Sequence, residues 1–306
     1  MLKKKNINVF DSEAAALEER RQRLKKSQEA ILNKKTPFVI QEAYRTARTN
    51  IIFSLADAGD ECKVVCVTSS NAGEGKTTST LNLAITFAQT GSKVLLIDGD
   101  LRKPRIHQYL GVVNTDGLTT ILLTQKDFED GVYHKLRPGL DCITSGSIPP
   151  NPAELLGSEA MHKLIERMKK EYDYILIDTP PVTVVTDAVA LSGYVSGVML
   201  VVREGYTNHE SIQQALNLLT IAKAKILGFF VNDIDAMSIN YGSYRSAYDK
   251  KYKNIYKQET HTYGYGGYGY GYGYGYGYGY SYADREEELV EDEEFGSDIA
   301  EGSNQD

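Results

Sequence analysis

Ser70-Asn71-Ala72-Gly73-Glu74-Gly75-Lys76-Thr77 sets two glycines, a lysine and a hydroxyl at the spacing of a phosphate-binding loop. Gly73 and Gly75 let consecutive N–H groups curl around a β-phosphate, and the helix that must follow adds positive partial charge at its start. Asn71, Ala72, Gly73, Glu74, Gly75, Lys76, Thr77 and Thr78 are the expected nucleotide contacts. Lys76 is expected to reach the β- and γ-phosphates, and the Thr77 hydroxyl to ligate magnesium. The generic pattern is only partly met, because Ser70 stands at the position usually held by glycine.

Three carboxylates belong to the same chemistry. Leu95-Leu96-Ile97-Asp98-Gly99-Asp100 carries two of them just past an apolar run, and Ile175-Leu176-Ile177-Asp178 carries a third. One aspartate alone reads as an ordinary strand-end turn residue. Three beside a phosphate loop suit a hard, oxygen-liganded, partly hydrated magnesium ion, with Thr77, Asp98, Asp100 and Asp178 as candidate ligands. A tyrosine phenol, with a pKa of about 10, is a poor nucleophile at neutral pH, so a carboxylate that takes its proton assists attack on a γ-phosphate. Asp98 is the better candidate base, and Lys76, Asp98, Asp100 and Asp178 form the expected catalytic set.

The acceptors lie on the same chain. Tyr263, Tyr265, Tyr268, Tyr270, Tyr272, Tyr274, Tyr276, Tyr278, Tyr280 and Tyr282 are separated almost throughout by single glycines. Glycine removes bulk and leaves the backbone free to present each phenol in turn. A Tyr-Gly tract by itself better suits an adhesive, condensed assembly, and the phosphate loop upstream reverses that preference. Roughly 30 residues of linker from Asn232 give an r.m.s. reach of about 30 Å, enough to enter a neighbour's active site. Phosphorylation of all ten would add roughly −15 to −20 in charge, which implies repulsion between subunits.

The elements that must position these groups alternate. Apolar runs at Lys63–Thr68, Lys93–Asp98, Leu140–Thr144, Tyr174–Asp178, Gly197–Val202 and Ile226–Asn232 read as buried strands. Helical stretches lie at Thr77–Gln89, Ser158–Glu171 and Glu210–Ala222, with an earlier helix from near Gln41 to Leu55. Such alternation predicts an α/β fold: a doubly wound, mostly parallel sheet with its ligand crevice at the strand carboxyl ends. Residues 1–35 read as a charged helix and linker with Ser12 as an N-cap, residues 36–235 as the catalytic domain, and residues 236–306 as a disordered tyrosine-rich and acidic tail.

Composition narrows the setting. Residues 283–306 hold eleven carboxylates against Arg285; removing that −10 from the net charge of −7 leaves the rest near +3. No basic footprint for nucleic acid results. Cys62, Cys66 and Cys142 show neither disulfide density nor metal-ligand spacing, which fits a reducing cytosol. No run approaches the roughly 18 apolar residues of a membrane span, and the first ten residues lack a signal-peptide core, so membrane attachment is expected through a partner.

Taken with Glu42-x-x-Arg45-x-x-Arg48, Asp98-Gly99-Asp100-Leu101-Arg102-Lys103-Pro104 and Gly146-x-x-Pro149-Pro150-Asn151-Pro152-x-Glu154-Leu155-Leu156, these motifs resemble the bacterial tyrosine kinases of capsule and exopolysaccharide synthesis. The resemblance covers about Gln41–Asn232 plus the tail. It implies an ATP- and magnesium-dependent autokinase regulating polysaccharide synthesis and export. It also implies a homo-oligomeric ring held through Glu42, Arg45 and Arg48, a separate transmembrane adaptor that docks the cytoplasmic chain at the inner membrane face, and an opposing tyrosine phosphatase. Without it, Glu42 and the arginines read as a solvated pairing on one helical face. The related partition and septum-placement ATPases carry an extra lysine where Asn71 stands here, which weighs against the alternative of a regulatory ATPase switch. How base and metal duties divide among Asp98, Asp100 and Asp178 is left open by their spacing.

Overall fold

Seven strands form one sheet in the order β3-β4-β2-β5-β1-β6-β7 in the computed structural model, which describes residues 18, 21–22, 24–25, 27–56, 59, 62–124 and 132–234. The strands are β1 (Lys63–Ser69), β2 (Val94–Asp98), β3 (Val132–Arg137), β4 (Leu140–Ile143), β5 (Tyr174–Asp178), β6 (Gly197–Arg203) and β7 (Ile226–Asn232). Every pairing is parallel except β3 with β4. The central strands are apolar through their middles and buried along nearly their whole length, as helices on both faces require. Ser12, the start of the first helix and the whole of the expected tail, with its ten acceptor tyrosines, lie outside the described residues.

The helices are α1 (Phe38–Ser54), α2 (Lys76–Ala88), α3 (Ile106–Leu110), α4 (Leu118–Thr124), α5 (Pro152–Leu156), α6 (Glu159–Met168), α7 (Asp187–Leu191) and α8 (His209–Ile221). Pro37 starts α1 three residues earlier than the periodicity suggests, since its φ of −53° is already helical and its missing N–H is not needed there. Tyr44 and Ile51 turn inward, and the Tyr44 ring stacks on Phe230 of β7 at 5.4 Å between centroids. Helix α2 is buried on nearly all sides, between the sheet and α1, and after Lys76 its sequence carries no charged residue, only small hydroxyl and amide side chains among the apolar ones. Ser158 caps α6 by accepting from the Met161 N–H, and Asn208 caps α8 through the Ser211 N–H.

Strand β3 and the four short helices are not evident from periodicity. β3 makes a hairpin with β4 around Pro138-Gly139, and its Tyr-His-Lys-Leu-Arg composition carries no continuous apolar run. The Pro-Gly dipeptide is the signal that marks it. Cys66 and Cys142 are buried in the sheet as small apolar residues, where burial pushes the Cys66 thiol up to about 12.

Candidate active site

Register places the chemistry. β5 lies between β1 and β2, and Asp178 faces Asp98 directly across the β5–β2 pairing and Val67 across the β5–β1 pairing. Both carboxylates therefore end adjacent parallel strands, about 4.8 Å apart in the sheet direction, and the loop leaving β1 starts beside them. Gly99, between Asp98 and Asp100, donates its N–H to the Asp178 carbonyl at 2.8 Å. A Cβ there would stand 2.8 Å from that oxygen and 2.9 Å from Ile177 Cγ2, so only glycine lets the two strand ends close this tightly.

Residues 70–75 form the loop and α2 begins at Lys76, capped by Gly75 at φ +88°. Lys76 Nζ donates to Asp100 Oδ2 at 3.1 Å, and Thr77 Oγ1 to Asp178 Oδ2 at 2.6 Å. Thr80 adds a second hydroxyl toward Asp178 at 3.4 Å, and Thr78 meets the Tyr109 hydroxyl at 3.0 Å. Asp100 also accepts the Lys103 N–H, while Asp98 Oδ2 accepts the N–H groups of Arg105 and Ile106. Thus Lys76, Thr77, Asp98, Asp100 and Asp178 are drawn into one cluster at the strand ends.

The electrostatics follow from burial. Asp98 and Asp178 are wholly buried neighbours, so desolvation and then their mutual repulsion push the Asp98 carboxyl up to about 8. Asp178 is raised by burial as well, with Lys76 and the Thr77 hydroxyl working against that rise. Burial opposes the Lys76 ammonium, but Asp178 and Asp100 outweigh it and raise the Lys76 pKa. A cation held charged beside two carboxylates suits a triphosphate and its metal.

The donor set fits magnesium in kind: a hydroxyl and carboxylate oxygens, with Asp98 Oδ1 buried and lacking a hydrogen-bond partner. Among the described residues no three His, Cys, Asp or Glu side chains form an ion cage by themselves.

Several supports of the loop are not apparent from motif spacing. Glu74 turns inward, fully buried, and accepts the Asn71 N–H at 2.9 Å, Asn71 Nδ2 at 3.3 Å and the Thr207 hydroxyl at 2.5 Å. Tyr206 donates to the Ala72 carbonyl at 3.1 Å, Asn232 Nδ2 to the Glu74 carbonyl at 3.0 Å, and Thr183 to the Ser70 carbonyl. Arg102 makes two 3.0 Å bonds to the fully buried Asp187 at the start of α7, tying the loop after β2 to the segment after β5. The available signal was positional: Asn232 ends a parallel strand, and Asp187 opens a helix after a Pro-Pro turn.

Glu42, Arg45 and Arg48 lie along α1, away from this cluster. Arg45 pairs with Glu42 at 2.6 Å, whereas Arg48 reaches across to the Thr86 carbonyl of α2 at 2.7 Å. One arginine is therefore engaged on its own helix and the other on the neighbouring one.

Comparison with known proteins decides the family. A family profile described as an AAA domain matches residues 62–227. Tyrosine-protein kinase YwqD of Bacillus subtilis is 46% identical over 191 residues, covering 62% of this chain and 80% of the relative. The chain belongs to the bacterial tyrosine-protein kinases. Tyrosine-protein kinase CpsD of Streptococcus pneumoniae is 39% identical over 218 residues, covering 69% of this kinase and 93% of the relative. The kinase domain of Escherichia coli tyrosine kinase ETK superposes with a TM-score of 0.59 at 31% identity, over 64% of this kinase and 78% of that chain. The expected α/β fold is that of the family. No helix among the described residues is long and apolar enough to cross a membrane.

Proposed function

We propose that the kinase is an ATP- and magnesium-dependent tyrosine autokinase that modifies Tyr263–Tyr282 of a neighbouring copy and thereby regulates capsular or exopolysaccharide synthesis and export. The observation that carries this reading is the register pairing of Asp98 with Asp178 beside Lys76 and Thr77, on a chain that supplies its own row of phenols.

In this reading the N–H groups of Asn71 to Thr78 cradle the β-phosphate, and the Lys76 ammonium leaves Asp100 to neutralise the β- and γ-oxygens. Thr77, Asp178 and Asp100 would hold magnesium, which when bound supplies charge neutralisation to the phosphate oxygens. Asp98 takes the proton from the incoming phenol in its ionised form, whose share grows as pH rises toward about 8. Its raised basicity, at about 8, brings it closer to the phenol than an exposed aspartate stands, so the transfer is less uphill. Positioning and electrostatics do the remainder, since phosphoryl transfer needs little covalent help from the protein.

Residues 36–235 act as the catalytic domain and the tail as tethered substrate at millimolar effective concentration. The Glu42–Arg45–Arg48 face of α1 joins copies in a ring, a separate transmembrane adaptor brings the kinase to the inner membrane face, and a tyrosine phosphatase resets it. Purified protein given γ-labelled ATP and a soluble adaptor tail tests the reading: label should accumulate on tyrosine. Label found only as free inorganic phosphate would defeat it in favour of a hydrolytic switch.

A further inference from the structure

Directly after Asp100 the chain presents Arg102, Lys103 and Arg105, all exposed, at the rim of the carboxylate cluster. The rim is fixed to the chemistry by its own backbone. The Lys103 N–H binds Asp100 Oδ1 at 3.0 Å and the Arg105 N–H binds Asp98 Oδ2 at 3.2 Å. Arg102 is committed to Asp187, but Lys103 and Arg105 have no carboxylate partner among the described residues. Two exposed cations without a carboxylate side-chain partner beside the cluster attract an anionic segment, and the field of the pair falls off within about 10 Å at ordinary salt.

We propose that this rim docks the acidic end, residues 284–306, of a second copy of the chain, and so delivers that copy's tyrosines to Asp98. The inference rests on the autokinase reading and names how its substrate is recognised. Charge complementarity carries it: residues 284–306 hold eleven carboxylates against Arg285, and the first of them, Asp284, follows Tyr282 by two residues. Two extended residues span about 7 Å, so a carboxylate seated on the rim holds Tyr282 and Tyr280 within reach of the cleft. Tyr263, by contrast, lies 21 residues from Asp284. Modification therefore starts at the C-terminal end of the tract and moves toward Tyr263. Each new phosphate adds charge that keeps the tail on the rim.

The test uses two full-length proteins. The acceptor carries Lys76→Met, so that it cannot modify itself, with either the native acidic end or all eleven carboxylates changed to Asn or Gln. The donor has its own ten tract tyrosines changed to Phe, with or without Lys103→Gln and Arg105→Gln. With the unaltered rim, kcat/KM for the native acceptor should exceed that for the neutral one by about threefold to tenfold, as a few exposed ion pairs allow, and the difference should lie in KM. The rim-altered donor should bring that ratio to about one, as should 1 M salt. Both donors keep the basic run at residues 245–257, so the loss is specific to the rim. Phosphopeptide time courses should show Tyr280 and Tyr282 leading on the native acceptor only.

Equal rates for the two acceptors, or a ratio that survives the donor substitutions, would overturn the docking surface while phosphotyrosine formation leaves the kinase reading intact. Equal rates joined to rim-dependent sedimentation with phosphatidylserine vesicles would reassign the rim to anionic lipid. ATP turnover without phosphotyrosine on any acceptor would remove the autokinase reading and this proposal with it.

Discussion

Replacing Asp98 with asparagine should stabilise the protein by an amount that grows with pH, while abolishing phosphoryl transfer. The folded protein holds the Asp98 proton up to about pH 8, whereas the unfolded chain releases it near the ordinary carboxylate value of 3.8. Folding is therefore opposed increasingly as pH rises between those values, by at most about 1.4 kcal/mol per pH unit. The contribution of this protonated carboxyl is fully present below about pH 4 and is lost as pH climbs through about 8. Asparagine mimics the neutral form: its carbonyl oxygen can accept the Arg105 and Ile106 N–H groups that Asp98 Oδ2 accepts now. From pH 5 to pH 8 the ceiling on the difference is about 4 kcal/mol, and sharing of the load with Asp178 and Lys76 reduces the expected gain to about 2–4 kcal/mol. Urea unfolding of both proteins in EDTA, without nucleotide, reads it directly. Parallel stability curves over that pH range would refute the claim that Asp98 is held neutral by burial beside Asp178.

Other consequences are more local. Gly75→Ala should abolish nucleotide binding measured by calorimetry while far-UV dichroism stays native, because its Cβ would stand 2.0 Å from Asn232 Nδ2 at a φ of +88°. Arg102→Ala should destabilise by about 3 kcal/mol, more than Asp187→Ala, since the former leaves a fully buried carboxylate unpaired and the latter leaves an arginine side chain already 38% exposed; denaturant midpoints decide the order. Arg45→Ala with Arg48→Ala should shift sedimentation toward smaller species. The Arg48 change alone should also cost about 1 kcal/mol of stability, through its lost bond to Thr86, and unchanged sedimentation of the double variant would refute the ring contact.

The strand-end logic was readable because it is short-range: continuous apolar runs ending in Asp98 and Asp178 mark buried parallel strands, and Gly73, Gly75 and Lys76 mark the turn into α2. Register could not be read that way. Nothing in either run says that Asp98 and Asp178 are direct neighbours, which follows from β5 inserting between β1 and β2. The braces on the phosphate loop were hidden for a similar reason. Tyr206, Thr207 and Asn232 are more than 130 residues from the atoms they hold, and each has an ordinary role as a loop or strand-end residue. β3 escapes a periodicity reading because an edge strand, paired on one side only, needs no continuous apolar run.

We propose that the Lys76–Asp98–Asp178 cluster itself phosphorylates the tail tyrosines. Phosphopeptide mapping of the purified chain incubated with ATP and magnesium, beside the Lys76→Met protein treated identically after phosphatase stripping, tests it most directly. Phosphate is expected on Tyr263–Tyr282 of the first and none on the second; equal tail phosphate on both would refute catalysis by this cluster.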